Sequence, residues 1–199
     1  MPRVVPEYKE EAKERIVKGA LEVFAAKGYH ETTMDDIARD IGISKGALYL
    51  YFASKELLFM QICKAGQAQF QNVLDESFSK RDLLAGADRF FDRMLDENSV
   101  YSKGLLFETL AEASRNEEIR KLLQASYEEA VDTLFGFLGE LNSKKIFRPD
   151  VDLRLMARGL IALYDGFVAS LLTTSDRSEV KKAWNTIMKS VILGTLAKR

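Results

Sequence analysis

The sequence predicts an all-α protein of about nine helices, and three observations carry that expectation. Prolines number only three (Pro2, Pro6 and Pro149), so few positions lack the backbone N–H that a helix needs. No stretch sustains the period-two alternation of a half-buried strand. Apolar residues instead recur at three- and four-residue intervals almost everywhere. With 199 residues, 47% hydrophobic and 30% charged, the chain has the composition of a globular protein and room for a small domain and a larger one.

The first helix is expected from about Glu7 to Lys27, with Ile16, Ala20, Val23 and Phe24 on one face and Gly28 ending it. Thr33 then occupies an N-cap position with Asp36 three residues on, and Ile37, Ala38 and Ile41 follow at helical spacing. Ala38 is small where a crossing helix must come close. Gly42 suits the next turn because it adopts positive φ without a Cβ clash. Ser44 caps a third helix, and Leu48 plugs that helix onto the second. Its first turn (Lys45, Gly46, Ala47) has little bulk, as a helix that reaches base edges with its backbone and a few side chains requires. Ser54 caps the fourth helix, whose apolar Leu58, Ile62, Cys63, Phe70, Val73 and Leu74 continue to about Phe78.

Residues 16–38 (IVKGALEVFAAKGYHETTMDDIA), the glycine turn and capped helix after them, and YLYFASKELL at 49–58 resemble the DNA-binding region of TetR-family transcriptional repressors. The likeness covers about a quarter of the chain. It departs from the commonest family pattern at Leu50 and Tyr51, where an aromatic and then a histidine often occur. The resemblance implies a three-helix, helix-turn-helix DNA-binding domain over residues 1–54. It implies an effector-binding and dimerisation domain over 55–199. The expected activity is that of a ligand-responsive repressor: a homodimer on a pseudo-palindromic double-stranded DNA operator, released by a small effector.

Lys45, Tyr49, Tyr51 and Lys55 are the main candidates for DNA contact, since lysine supplies charge to phosphate and tyrosine hydroxyls donate to phosphate oxygens. The tyrosines could instead be core aromatics, but Leu48 and Phe52, four apart, already fill the inward positions. Thr33 and Lys55 begin helices where free N–H groups favour an anion, with simple capping as the alternative. The resemblance adds Ser44 and Gly46. Overall charge tempers this reading, and its distribution supports it, since Lys45 and Lys55 flank the third helix while Glu10, Glu11, Glu14 and Glu22 lie on the first and can face elsewhere. Net charge is −1, and residues 1–55 hold nine Lys/Arg against nine Asp/Glu. Weak non-specific affinity is expected, with tight binding only as a dimer on a matched site.

Further helices are expected over 81–97, 101–114 and 117–141, with a loop at Asn142 and Pro149. Residues 153–172 are apolar nearly all round and need cover on more than one side, for which a second subunit is the obvious source. Residues 180–196 carry a further apolar stripe. Two such helices from each chain would make a four-helix seam, with Leu160, Leu163, Trp184, Ile187, Met188 and Val191 as its candidates. The family resemblance supports the same assembly and implies an effector cavity among the C-terminal helices. Phe91, Met94, Phe107, Tyr127, Tyr164 and Phe167 are its candidate lining, which points to an apolar effector. Aromatics at helical spacing are more often simply core.

Other functions find little support. One cysteine (Cys63) excludes an internal disulfide, and with one histidine (His30) neither a metal cluster nor a catalytic triad is expected. No metal or cofactor is therefore expected. A helical enzyme remains an alternative without a motif behind it, and a protein-interaction adaptor rests only on the neutral charge of residues 1–55. No run of 18 apolar residues suggests a membrane span, and the N-terminus lacks a signal-peptide core, so the expected location is the cytoplasm.

Overall fold

The computed structural model describes residues 6–79, 82–143, 145–173 and 176–196, with side chains from residue 9 onward except at 97–103. Among the described residues it is all-α: α1 (Pro6–Lys27), α2 (Met34–Asp40), α3 (Lys45–Tyr51), α4 (Lys55–Ser77), α5 (Leu83–Met94), α6 (Glu97–Ala113), α7 (Glu117–Asn142), α8 (Leu153–Thr173) and α9 (Arg177–Thr195). The only sheet-like pairing there is an isolated bridge between Phe147 and Leu196. The expected sixth helix begins earlier, at Glu97, and α5 is correspondingly shorter. Asp82 sets the start of α5 by accepting a hydrogen bond from the Ala85 N–H.

The chain packs as two units. The first runs to Gly66 and adds Ser102–Leu123; the second holds Gln67–Tyr101 and Gln124 onward. In the first, Ile16, Ala20, Val23 and Phe24 of α1 meet Ile37, Ala38, Leu48, Phe52, Leu58 and Phe59 in one core. Phe24, Tyr29 and Phe59 form an aromatic cluster with centroids 5.0–6.2 Å apart. Side chains such as Phe24 and Leu48 are fully buried, each stabilising the fold by about 1.5–3 kcal/mol. Cys63 is half-buried against this core.

In the second unit α5 packs on α9. The Trp184 indole N–H donates to the Ala87 carbonyl at 2.9 Å, and its ring stacks on Phe90 and meets Phe167 edge-on. Asn185 and Lys181 reach Asp88 and Asp92 across the same seam. Helix α8 is long and apolar enough, by length and composition, to cross a membrane. Its apolar character has a local cause: one side packs within the unit through Ala157, Ile161, Phe167 and Val168, and another, beginning at Leu155, lies exposed.

Candidate nucleic-acid interface and internal cavity

The α2–turn–α3 pair is built by its caps. Thr33 accepts the Asp36 N–H and Asp36 accepts the Thr33 N–H, so both ends of the capping pair are made. Hydrogen bonds from Thr33 and Lys27 hold the Asp36 carboxyl well below the usual carboxylate range. Gly42 turns the chain at φ 72°, and Ser44 accepts the Ala47 N–H at the start of α3. Leu48 and Phe52 then point into the core. This leaves Lys45, Gly46, Tyr49 and Leu50 exposed, with Tyr51 half-buried against the core.

The Lys45 ammonium lies 2.8 Å from Asp35 on α2, and that carboxylate raises its pKa through a hydrogen bond and its charge. Lys55 is placed differently. Its ammonium donates to the carbonyls of Tyr29, at 2.8 Å, and Thr32, at 2.9 Å, and sits 4.4 Å from the Tyr29 ring centroid. Burial lowers its pKa despite nearby carboxylates. From α6, Glu108 accepts the His30 N–H at 3.2 Å and crowds Gly28, whose φ is 85°. The loop between α1 and α2 is thus clamped by Lys55 and Glu108, and the exposed His30 ring lies 3.8 Å from Glu112.

Within the second unit a cavity of about 80 Å³ is walled by α4, α5, α7, α8 and α9. Its walls are aromatic and aliphatic: Phe70 and Leu74 from α4, Phe90 from α5, Phe137 from α7, Tyr164 from α8 and Trp184 from α9 are representative. Burial, with the carboxylates of Asp165 and Asp96, pushes the Tyr164 hydroxyl well above its ordinary range. Asp165 beside it is half-buried, and burial pushes its carboxyl up to about 6.

A family model for bacterial regulatory proteins of the tetR family matches residues 16–62, and one for the C-terminal part of BetI-type transcriptional repressors matches 85–192. YfiR of Bacillus subtilis (strain 168), an HTH-type transcriptional regulator, is 30% identical over 174 residues, covering 86% of this chain and 85% of its own. The chain belongs to the TetR family. Among solved structures, Salmonella enterica GusR superposes at TM-score 0.78 and 24% identity, over 97% of this chain and 98% of that one. Bacillus subtilis FadR in complex with stearoyl-CoA superposes at TM-score 0.73 and 22% identity, over 91% and 98%. These two likenesses are of fold.

As a TetR-family member the protein is a DNA-binding transcriptional regulator, with α2 and α3 as its helix-turn-helix. The structure distributes the expected site residues unevenly. Of the expected lining, Tyr164 faces the cavity, whereas Phe91, Met94 and Phe167 are buried in the surrounding packing without lining it. Tyr127 lies under the Arg158 guanidinium, and Phe107 belongs to the first unit. The seam candidates divide too. Leu160, Trp184, Met188 and Val191 line the cavity of their own subunit, Leu163 is half-buried and Ile187 is exposed. Arg154 and Arg158 pair with Glu128 and Asp132 across α7 and α8. Sequence reasoning noted Leu50 only as a departure from the family pattern and missed most of the cavity wall. Phe70 and Leu74 stood out as apolar, yet periodicity alone does not separate a cavity wall from solid core.

Proposed function

We propose that the protein represses transcription as a cytoplasmic homodimer, each subunit laying α3 in a major groove of a pseudo-palindromic operator. The half-sites would lie about 34–36 Å apart. The observation that carries this reading is the sided build of α3: Leu48 and Phe52 anchor it while Lys45, Gly46 and Tyr49 stand outward beside the Thr33 and Ser44 caps. Lys45 exchanges Asp35 for phosphate on binding, and Tyr49 supplies a hydroxyl to the backbone. Tyr51 reaches the duplex only with its half-exposed edge. Lys55, occupied with two close carbonyls, supports the interface by fixing the loop after α1 and touches phosphate only if it releases one. The proposed boundary at 54/55 separates reading head from effector region, while the packing that supports α3 reaches further, to Gly66 and into α6.

The effector is a small apolar molecule bound in the cavity. The walls favour hydrocarbon, and the relative FadR was solved with stearoyl-CoA, which carries a long acyl chain. At about 80 Å³ the open space is well short of the roughly 300–1,000 Å³ of a ligand site, so the effector must part the walls as it enters. A ligand that favours the parted state draws population from the DNA-competent one. Dimerisation uses the exposed sides of α8 and α9. Leu155, Gly159, Ala162 and Gly166 share one stripe, and Ala183, Ile187, Ser190 and Gly194 another.

The test has two arms. Gel shifts on DNA selected by the purified protein should show Lys45→Ala and Tyr49→Ala losing most affinity; unchanged binding removes the assignment of α3. Titration with fatty acids of rising chain length should change the fluorescence of Trp184, the single tryptophan and a cavity residue. Emission that ignores every chain length while operator release proceeds removes the cavity assignment.

A further inference from the structure

We propose that Leu50 reads a thymine in each operator half-site by packing on its 5-methyl group, an inference that rests on the DNA-binding role of α3. A single exposed leucine means little by itself. The position of this one does. It is 82% exposed, in a helix whose inward side is set by Leu48 at 0%. Two residues of α-helix turn the direction by about 200°, so Leu50 points almost directly away from Leu48. Gly46 lies one turn earlier on the same outward line, and a Cβ built there meets nothing within 4 Å. Helical side chains lean toward the N-terminus, so the Leu50 isobutyl group spreads over the patch that Gly46 leaves bare.

The outermost ridge of the reading helix is therefore aliphatic carbon over unobstructed backbone. The charged and hydroxylic groups, Lys45 and Tyr49, flank it on one side, and half-buried Tyr51 lies on the other. Such a ridge donates and accepts no side-chain hydrogen bonds, so it cannot read a base edge by the donor–acceptor code. What the major groove offers to an apolar group is the thymine methyl. The lysine and tyrosine fix the helix on the backbone, while Leu50 contributes sequence preference.

The experiment starts from DNA selected by the full chain from a random library. Each thymine of the selected site is then replaced singly by uracil, which removes the methyl and keeps base pairing. The expected result is one thymine per half-site at which uracil weakens wild-type binding about fourfold, the weight of one methyl-sized group taken from water. Leu50→Ala should bind the thymine and uracil duplexes equally, with its helical circular dichroism unchanged. Sensitivity to uracil that persists in Leu50→Ala overturns the proposal, as does a wild-type protein indifferent to every replacement. Failure to select any DNA would instead overturn the role of α3 itself, so the two readings fail separately.

Discussion

At the scale of single residues, the charged groups divide into those that hold the reading head together and those left to act. Lys55 shows how close the two are. Its ammonium looks available from the sequence, yet the carbonyls of Tyr29 and Thr32 claim it, because the loop between α1 and α2 leaves backbone acceptors outside any helix that a nearby cation satisfies well. Lys45 keeps an exposed partner, Asp35, that phosphate can replace. Asp165 is the opposite case, a half-buried carboxyl whose pKa stands near 6 against an ordinary 3.8 because burial disfavours its charge. Between those two pH values the folded protein holds a proton that the unfolded chain has released, so this group's contribution to stability falls as pH rises through that window. Asp165→Asn should therefore raise unfolding free energy at pH 7 by about 1 kcal/mol, solvent screening part of the cost, and should flatten the slope between pH 4 and 6. Urea melts of both proteins across that range check it. A variant less stable at pH 7 with an unaltered slope would show the carboxylate to be needed in its charged form.

At the scale of elements, the seven-residue helices α2 and α3 are too short to stand on their own propensity, and their ends do much of the work. Caps at Thr33 and Ser44 start them and Gly42 turns between them. The space around Gly42 is empty, so a side chain there would meet no neighbour and its whole cost would come from the backbone at φ 72°. Gly42→Ala should thus lower stability by about 1–2 kcal/mol, with Gly42→Asn losing less. Denaturant midpoints read this directly. Equal losses for both variants would mean that something other than left-handed backbone sets the cost. These features were legible in the sequence, because capping and turning depend on residues a few positions apart. The ends of α5 and α6 were not, since the apolar spacing runs on through Met94 and Leu95 and does not itself mark where one helix stops.

At the scale of the whole molecule, the largest apolar groups of α8 and α9 are consumed within the subunit. Trp184, Met188, Leu160 and Val191 face the cavity, and what remains exposed is a paler face of glycine, alanine and scattered aliphatics. Small residues suit the proposed seam, since they let helices of two subunits approach closely. Gly159 and Gly166 leave open space where a Cβ would stand, so a large residue there disturbs no contact of the subunit itself. Gly166→Arg should accordingly yield monomer in sedimentation velocity, with helical content kept and operator affinity reduced by at least tenfold, because one reading head holds few phosphates. A variant that remains dimeric would move the seam elsewhere.

The sequence by itself determined the all-α class, the capped helix pair and its turn, and the family, because each rests on local spacing that survives without knowledge of the fold. Only the tertiary structure decided which side of an apolar helix meets a cavity, which meets its own subunit and which remains exposed. Periodicity reports that a face avoids water. It does not report what that face avoids water against, and this is why the cavity wall that Trp184 joins, and the crest of α3 where Leu50 stands, came from the structure alone.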